Sequence, residues 1–361
     1  MRSASLCCIV SILFCCLPVT AMAKVRGLCV NCHTMHNSQG GTPVAYTVDK
    51  SGQTIPVTKV SPALLNTDCV GCHQGTNAAG GAVPYVLDTK GPTYGLTGTE
   101  GTTLAGGNFY WVTLGQDRTG HNIADVSLAD QKLAFIPPGG SAMLAQITCA
   151  GTNGCHGNPA VMHPTLAVLG AHHGKDMGVW QDGSSIAKSY RFLDKVKGLE
   201  DQAYEYQPTS LQHNKYYGED RNFETETAAG SISSHCARCH GNFHNGSGKM
   251  APGSFTAGVW LRHPVDFDMS RASSSTEYKL YNGGTGSNNP YSVVAPVATT
   301  DNSTAVNTTV NVSTDSNNAI VMCLSCHRAH GTPHDAILRW DYKKWPSAGY
   351  NGCAVCHTAK N

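Results

Sequence analysis

The chain has 361 residues and nearly balanced charges, with 25 lysines and arginines against 24 aspartates and glutamates. This balance gives no sign of the strongly basic surface on which nucleic-acid binding depends. After the first 23 residues, no stretch is long and apolar enough to predict a membrane-spanning helix. The unusual residues are the 16 cysteines and 17 histidines, and their spacing carries most of the functional information.

Residues 1–23 have the pattern of a secretory signal peptide. Arg2 precedes an apolar run from Ala4 to Val19, and small residues ending at Ala23 are typical of a cleavage site. We therefore expect cleavage after Ala23 and export through the periplasm. Removing this segment takes away four cysteines and leaves 12.

Ten of the remaining 12 cysteines form five C-x-x-C-H runs, which are typical of covalent haem attachment. In a zinc site, a cysteine pair need not be followed directly by a histidine. The histidine after every pair therefore favours haem attachment over zinc binding. The predicted thioether cysteines are Cys29, Cys32, Cys69, Cys72, Cys236, Cys239, Cys323, Cys326, Cys353 and Cys356. The predicted proximal iron ligands are His33, His73, His240, His327 and His357.

The other two cysteines predict a further attachment site with unusual spacing. Cys149, Cys155 and His156 form a C-x5-C-H run, whose small intervening residues allow the extra length to bulge outward. The alternatives are a haem held by one thioether, or a disulfide with no haem. Two thioethers at this site would use all 12 remaining cysteines and leave no unpaired thiol. We therefore predict six haems c on the chain, numbered one to six in chain order.

An iron held by two histidines needs a distal imidazole on the opposite face of the haem. His36 follows His33 by three residues and lies on the same side of the chain if this stretch is helical. It therefore cannot reach the far face of its own haem, and binds another iron or none. The same argument applies to His244 and His330. Of the other histidines, those that look most like surface or propionate-bonding groups are His213, His235 and His334.

The composition predicts the fold class of a multihaem c-type cytochrome, mostly coil with short helices and a few short strands wrapped around a stacked haem chain. There are 39 glycines and 17 prolines, without a sustained apolar period of 3.6 or 2. We expect one domain over residues 24–361, with haems one to three in 24–175 and haems four to six in 232–361. The linker 176–231 is expected to be a surface loop and subunit contact. Residues 283–318 are expected to form an exposed hairpin, because their alternating pattern is polar.

Several motifs together resemble the outer-membrane c-type cytochrome S family. They are "CVNCHTMHNS", "CHQG", "GHNI", "CARCHGNFHN", "WLRHP", "CLSCHRAH" and the terminal "CAVCHTAKN", in that order. The resemblance implies an extracellular hexahaem cytochrome that polymerises into conductive filaments. It implies two histidines on every iron, with His36 crossing to the fifth haem of the adjacent subunit, held by Cys323, Cys326 and His327. The other matching distal positions are His121, His173, His244, His263 and His330.

The third site departs from the family pattern. C-x5-C-H replaces C-x-x-C-H, and His173 follows His156 by a long gap where the family histidine follows closely. His163 and His172 therefore remain alternatives for the distal ligand of the third haem.

The expected function is long-range electron transfer by hopping along closely stacked haems, in an electron carrier rather than an enzyme. The resemblance implies a homopolymer, an outer-membrane electron conduit and extracellular electron acceptors as partners. One rival is a monomeric electron shuttle in the periplasm or at the cell surface, which shares the haem chemistry. The other is a multihaem reductase of nitrite, hydroxylamine or sulfur species, which needs an iron with an open coordination position.

Overall fold

The computed structural model describes residues 25, 27–49, 51–221, 227–241, 263, 265–272, 276–313, 316–344 and 352–358. The expected signal peptide and His244 lie outside these residues. Within the described ranges, no helix has the length and apolar character needed to cross a membrane.

Secondary structure is short throughout the described residues. The α-helices are α1 (Cys69–His73), α2 (Tyr110–Thr113), α3 (Pro164–Ala167), α4 (Ala171–Gly174), α5 (Ile232–Ala237) and α6 (Thr276–Lys279). Turns of 3-10 helix span Cys29–Asn31, Asp117–Thr119, Met269–Ala272, Cys323–Ser325, Tyr342–Lys344 and Gly352–Val355. Tight turns that contain left-handed residues span Tyr190–Phe192, Tyr281–Gly283 and Asp335–Ile337. The predicted mostly coil fold is confirmed. Frequent glycine and proline prevent longer elements, because glycine weakens helices and strands and proline removes a hydrogen-bond donor.

The strands pair two by two instead of forming one large sheet. They are β1 (Ser38–Gln39), β2 (Thr42–Pro43), β3 (Tyr46–Val48), β4 (Thr54–Pro56), β5 (Thr148–Ala150), β6 (Gly154–His156), β7 (Gly198–Leu199), β8 (Lys215–Tyr216), β9 (Phe267–Asp268), β10 (Asn289–Pro290), β11 (Thr309–Val310) and β12 (Ile320–Val321). β1–β2, β3–β4, β7–β8, β9–β12 and β10–β11 are antiparallel, while β5–β6 is parallel. Typical registers are Thr47 opposite Ile55 and Ala150 opposite His156.

The buried apolar side chains form separate small clusters, each of which contacts an attachment cysteine. Cys155 packs against a cluster containing Tyr190, Tyr216 and Ile320. Cys356 packs against a second cluster, and Cys149 against a third. The apolar interior of the protein is therefore divided among the attachment sites.

The segment 176–231 is not the surface loop expected from its composition. Its buried aromatic and apolar side chains include Tyr190, Val196, Tyr204 and Tyr216. Its charges have partners inside the protein: Glu200 lies 2.6 Å from Lys175, and the Arg191 guanidinium lies 5.0 Å from the ring centre of Tyr204. The expectation was wrong because these charged residues pair with one another and stack on aromatic rings, so they need no contact with water.

Residues 283–318 are also less exposed than expected. Val310 and Val312 are fully buried, on the same face of the chain, in the cluster that contains Tyr291. The polar residues between the apolar ones bond to backbone: Asn289 Nδ2 donates to the carbonyl of Val310 at 3.1 Å. The expectation of an exposed hairpin was wrong because these amides replace water as backbone partners.

Backbone and side-chain contacts join the early and late parts of the chain. The Arg328 side chain donates to the carbonyls of Leu104, Ala105 and Gly98 at 2.8–2.9 Å. The His330 amide donates to the Gly106 carbonyl at 2.7 Å. These contacts bring histidines from distant parts of the sequence close together.

Candidate haem-attachment sites

Each C-x-x-C-H run forms one tight turn that presents two thiols and an imidazole together. In four runs the histidine amide donates to the carbonyl of the first cysteine, for example His33 to Cys29 at 2.8 Å and His327 to Cys323 at 3.1 Å. At the second site, the Asp68 side chain caps α1 by accepting from the Gly71 amide at 2.8 Å. These local hydrogen bonds bring together the two thiols and the imidazole that haem attachment requires.

The C-x5-C-H run makes the same kind of approach through a small loop. β5 and β6 run parallel, with the loop 151–153 between them and Gly151 at φ 87°. The Gly151 amide donates to the His156 carbonyl at 2.9 Å. Glycine adopts this φ without strain. The extra residues of the loop therefore bulge away from the space between the two cysteines. No disulfide joins Cys149 to Cys155, whose thiols are both free.

The attachment thiols of consecutive sites lie next to one another. Cys69 and Cys149 share a hydrogen bond, and so do Cys236 and Cys323. Other neighbouring thiols that interact electrostatically are Cys32 with Cys72, Cys155 with Cys239, and Cys326 with Cys356. The six sites therefore follow each other in space in the order of the sequence.

Burial keeps several of these thiols protonated at neutral pH. It raises the pKa of Cys72 to about 11, with neighbouring Cys32 adding to the effect. Burial likewise raises the pKa of Cys326 to about 12, with Cys353 adding to the effect. The thiols of Cys72 and Cys326 are therefore uncharged at neutral pH.

The proximal imidazoles are held in the orientation that an iron ligand requires. His73 Nδ1 donates to the Pro84 carbonyl at 2.9 Å, and His156 Nδ1 to the Arg191 carbonyl at 2.7 Å. His240 and His327 make the same bond to Pro138 and Ala336, at 2.6 and 2.8 Å. A carbonyl only accepts, so Nδ1 carries the proton and the lone pair of Nε2 is available for a metal. Histidines that bind metals usually have such a partner.

Five proximal histidines face a second imidazole from elsewhere in the chain. The ring centres lie 6.0–6.4 Å apart in the pairs His33–His173, His73–His172, His156–His330, His240–His121 and His357–His263. Metal–nitrogen bonds are about 2 Å long and a ring centre lies ~1.1 Å beyond its nitrogen, so two imidazoles on one iron are about 6 Å apart. The observed separations fit an iron between each pair.

The donor set also fits a haem better than a bare metal ion. Among the described residues, no three histidine, cysteine, aspartate or glutamate side chains converge on one point. Two imidazoles alone do not complete a protein metal site, whereas a haem iron already has four porphyrin nitrogens. Burial lowers the pKa of His121 to about 4 and that of His330 to about 3, so both imidazoles are neutral and able to bind.

The third site differs from expectation in its facing histidine. His330 faces His156, whereas His172 and His173 face His73 and His33 of the second and first sites. His172 and His173 are consecutive in α4, where neighbouring side chains point about 100° apart, so they face two different sites. The other alternative, His163, is exposed and lies 3.0 Å from the Thr165 hydroxyl.

Two of the predicted ligands, His327 and His36, face no second imidazole among the described residues. No described imidazole ring faces His327 at the separation of the other pairs. His36 is exposed, and no described histidine ring contacts it. His244 lies outside the described residues.

Sequence reasoning missed the groups that orient the imidazoles. Pro138, Arg191 and Ala336 act through their carbonyl oxygens, which every residue has, so no residue type marks them. It also missed that His213 is buried and stacked on Tyr291, with ring centres 3.9 Å apart. Its Nδ1 donates to the Asn214 carbonyl at 2.7 Å, so the buried ring has a hydrogen-bond partner without a metal.

Comparisons with known proteins agree with this geometry. A family model described as a doubled CXXCH motif matches residues 317–361, which contain the fifth and sixth sites. C-type cytochrome OmcS of Geobacter sulfurreducens is 26% identical over 388 aligned residues, covering 92% of this chain and 83% of that protein.

Two solved structures are also similar to the chain. The Outer Membrane Cytochrome S filament of Geobacter sulfurreducens has 20% identity and a TM-score of 0.47, covering 88% of this chain and 84% of that one. The OmcS nanowires of the same organism, solved by cryo-EM, have 23% identity and a TM-score of 0.47, covering 88% and 83%. Over most of its length the chain is therefore similar to OmcS, a c-type cytochrome, and its last two attachment motifs match the doubled CXXCH model.

Proposed function

We propose that the protein is the subunit of an extracellular cytochrome filament that transfers electrons along six haems c, each bound by two histidines. The observation that carries this proposal is the set of imidazole pairs: five proximal histidines face a partner, His327 faces no imidazole among the described residues, and His36 is exposed. In an assembly of identical subunits, His36 of one subunit supplies the ligand that His327 of the next requires.

The chain's own residues fix the properties of each site. The twelve cysteines attach the haems, and His33, His73, His156, His240, His327 and His357 are the proximal ligands. Their distal partners are His173, His172, His330 and His121 for the first four sites, His36 of the neighbour for the fifth and His263 for the sixth. When bound, each haem supplies an iron that accepts and releases one electron. Two imidazoles keep the coordination similar in both oxidation states and leave no position for a substrate, which argues against a reductase.

The thiol contacts support a continuous path from the first site to the sixth. Two hydrogen bonds between thiols, Cys69 with Cys149 and Cys236 with Cys323, bring the edges of consecutive sites together. Short distances between neighbouring sites are what hopping requires. The contacts of Arg328 with Leu104 and Ala105 support a single domain over residues 24–361, in which both halves hold the path rigidly.

The surface around His36 supports a head-to-tail contact between subunits. Leu28, Val30 and Met35 are 73%, 70% and 73% exposed. Apolar side chains of this size gain free energy when they are removed from water, so a cluster of them is typical of an interface. We infer that this N-terminal surface docks beside the fifth site of the next subunit and brings His36 to its iron.

The signal pattern of residues 1–23 supports export, and the similarity to OmcS supports an extracellular location. We further propose an outer-membrane electron conduit as the donor and extracellular electron acceptors as the final partners. A monomeric shuttle remains the second candidate, since it would share every intramolecular pair. It differs only in leaving the fifth iron without His36.

The experiment uses the full-length protein produced with its own signal. Its mass should correspond to six haems, and its optical and EPR spectra should show only low-spin iron in assembled material. The variant His36→Ala should stay monomeric and show one high-spin iron in six. The control Gln39→Ala changes an exposed residue on β1 and should assemble normally.

Two outcomes would contradict the proposal. A wild-type protein that stays monomeric, with the spectrum of His36→Ala unchanged from wild type, would favour the shuttle. A high-spin iron in wild-type material that changes with added nitrite would favour a reductase.

A further inference from the structure

A turn next to the third site has an unusual backbone. Arg191 and Phe192 both have left-handed dihedral angles, with φ of 51° and 58°. The Arg191 carbonyl accepts the Nδ1 proton of His156 at 2.7 Å, and the Phe192 carbonyl accepts the Gly157 amide at 2.7 Å. The left-handed conformation is unfavourable for these residues, so the surrounding contacts must hold it.

A buried carboxylate holds this turn. Glu200 is 7% exposed and accepts the Arg191 amide at 2.6 Å. It also pairs with Lys175, which is 2% exposed, at 2.6 Å, and lies 3.6 Å from the Arg191 guanidinium. Burial alone would raise the pKa of Glu200, but Arg191 and Lys175 hold it below the usual value. Glu200 is therefore ionised, and one carboxylate faces two cations.

The same turn contacts the second site. The Phe192 ring lies 4.9 Å from the ring of His172, which faces His73. Lys175 Nζ lies 5.2 Å from the centre of the Phe192 ring. The charges of Glu200 and Lys175 therefore lie beside imidazoles of two consecutive sites.

The fifth site has the same backbone turn in a different electrostatic setting. Ala336 and Ile337 have φ of 58° and 59°, and their carbonyls accept His327 Nδ1 and the Arg328 amide at 2.8 and 3.0 Å. The acid of this turn is Asp335, which pairs with the largely exposed Lys343. The same backbone turn therefore forms there beside an ion pair in contact with water, so it does not require a fully buried one.

We propose that Glu200 and Lys175 are positioning residues that set the reduction potential of the third site through their buried, opposite charges. The inference rests on the proposed function, since it requires an iron bound by His156. A negative charge stabilises ferric iron and lowers the potential, while a positive charge raises it.

The experiment is a redox titration of the assembled holoprotein, followed optically, for three variants. Glu200→Gln should raise one midpoint, and Lys175→Met should lower it. A buried unit charge within about 10 Å, at an effective dielectric constant of ~20, changes the reduction equilibrium roughly tenfold, which corresponds to about 59 mV for one electron. The double variant restores the net charge, so its equilibrium constant for reduction should lie within about twofold of the wild-type value.

The control is Asp335→Asn, which removes the acid at the matching turn where water screens the charge; its shift should be several times smaller. An unchanged midpoint in Lys175→Met would overturn the inference, and so would shifts of the same sign in the two single variants or a large shift in the double variant. If Glu200→Gln does not fold, Lys175→Met still tests the proposed direction. The haem count and low-spin spectrum of the wild type test the proposed function separately.

Discussion

At the scale of single residues, the sites depend on neutral, correctly oriented imidazoles. Backbone carbonyls accept the Nδ1 protons of His73, His156, His240 and His327, which leaves the lone pair of Nε2 available for an iron. His121 has the same arrangement on the distal side, with the Ala329 carbonyl at 2.6 Å. A distal histidine can therefore be recognised by the ring it faces and by the partner of its other nitrogen.

The third site offers a direct test of this criterion. His330→Ala should remove the ring that faces His156 and convert one low-spin iron in six to high spin, because no second imidazole remains on that face. His163→Ala should leave every iron low-spin, because His163 is exposed and faces no described proximal histidine. EPR spectroscopy of the two variants measures this difference. A high-spin iron in His163→Ala, with none in His330→Ala, would reverse the assignment.

The attachment cysteines and proximal histidines are predictable from the sequence because covalent attachment imposes a fixed local spacing. The distal ligands cannot be assigned to sites in this way, since their partners depend on how the chain folds. His330 lies three residues after His327, and the rule that it cannot bind its own haem agrees with its position opposite His156. Which remote site it would face was not predictable, because that depends on the bond between His330 and Gly106.

At the scale of secondary structure, tight backbone contacts replace long helices and sheets. Gly107 bridges to Gly331 with φ of 82°, and a Cβ atom added to Gly107 would overlap the Gly331 carbonyl. This bridge lies next to the His330–Gly106 bond. Glycine here therefore allows the approach that brings His330 to the third site.

Replacing Gly107 by alanine should destabilise the protein more than the same change at a glycine that has a similar φ but open space around the added Cβ atom. Gly107→Ala should lower the free energy of unfolding by about 3 kcal/mol or more, since it adds a steric overlap to the left-handed strain. Gly115→Ala is the control: its φ is 77° and no atom lies within 4 Å of the added carbon, so only about 1 kcal/mol is expected. Denaturant unfolding of both holoproteins measures the difference, and equal losses would contradict this role of the bridge.

The prediction of mostly coil with short elements was correct because abundant glycine and proline limit element length wherever they occur. Burial was harder to predict. Glu200 and Lys175 look like surface residues in the sequence, yet each is buried because the other is its partner. Val310 and Val312 alternate with polar residues, and the pattern alone does not reveal that Asn289 satisfies the backbone beside them. Long-range pairing decides burial in both segments.

At the scale of the whole molecule, the order of the sites in space follows their order in the sequence. Thiol contacts link each site to the next, and contacts between residues 98–106 and 328–331 hold the two halves together. The path within one subunit ends at surfaces that another subunit can extend. We propose that His36 and the exposed side chains of Leu28, Val30 and Met35 form one such surface.

The most direct test of the account is a cryo-EM map of the protein assembled from its secreted form. We predict that the ring of His36 lies opposite the partner subunit's His327, with ring centres about 6 Å apart and an iron between them. A map in which His36 points into solvent, while another group completes the coordination of the fifth iron, would contradict the account.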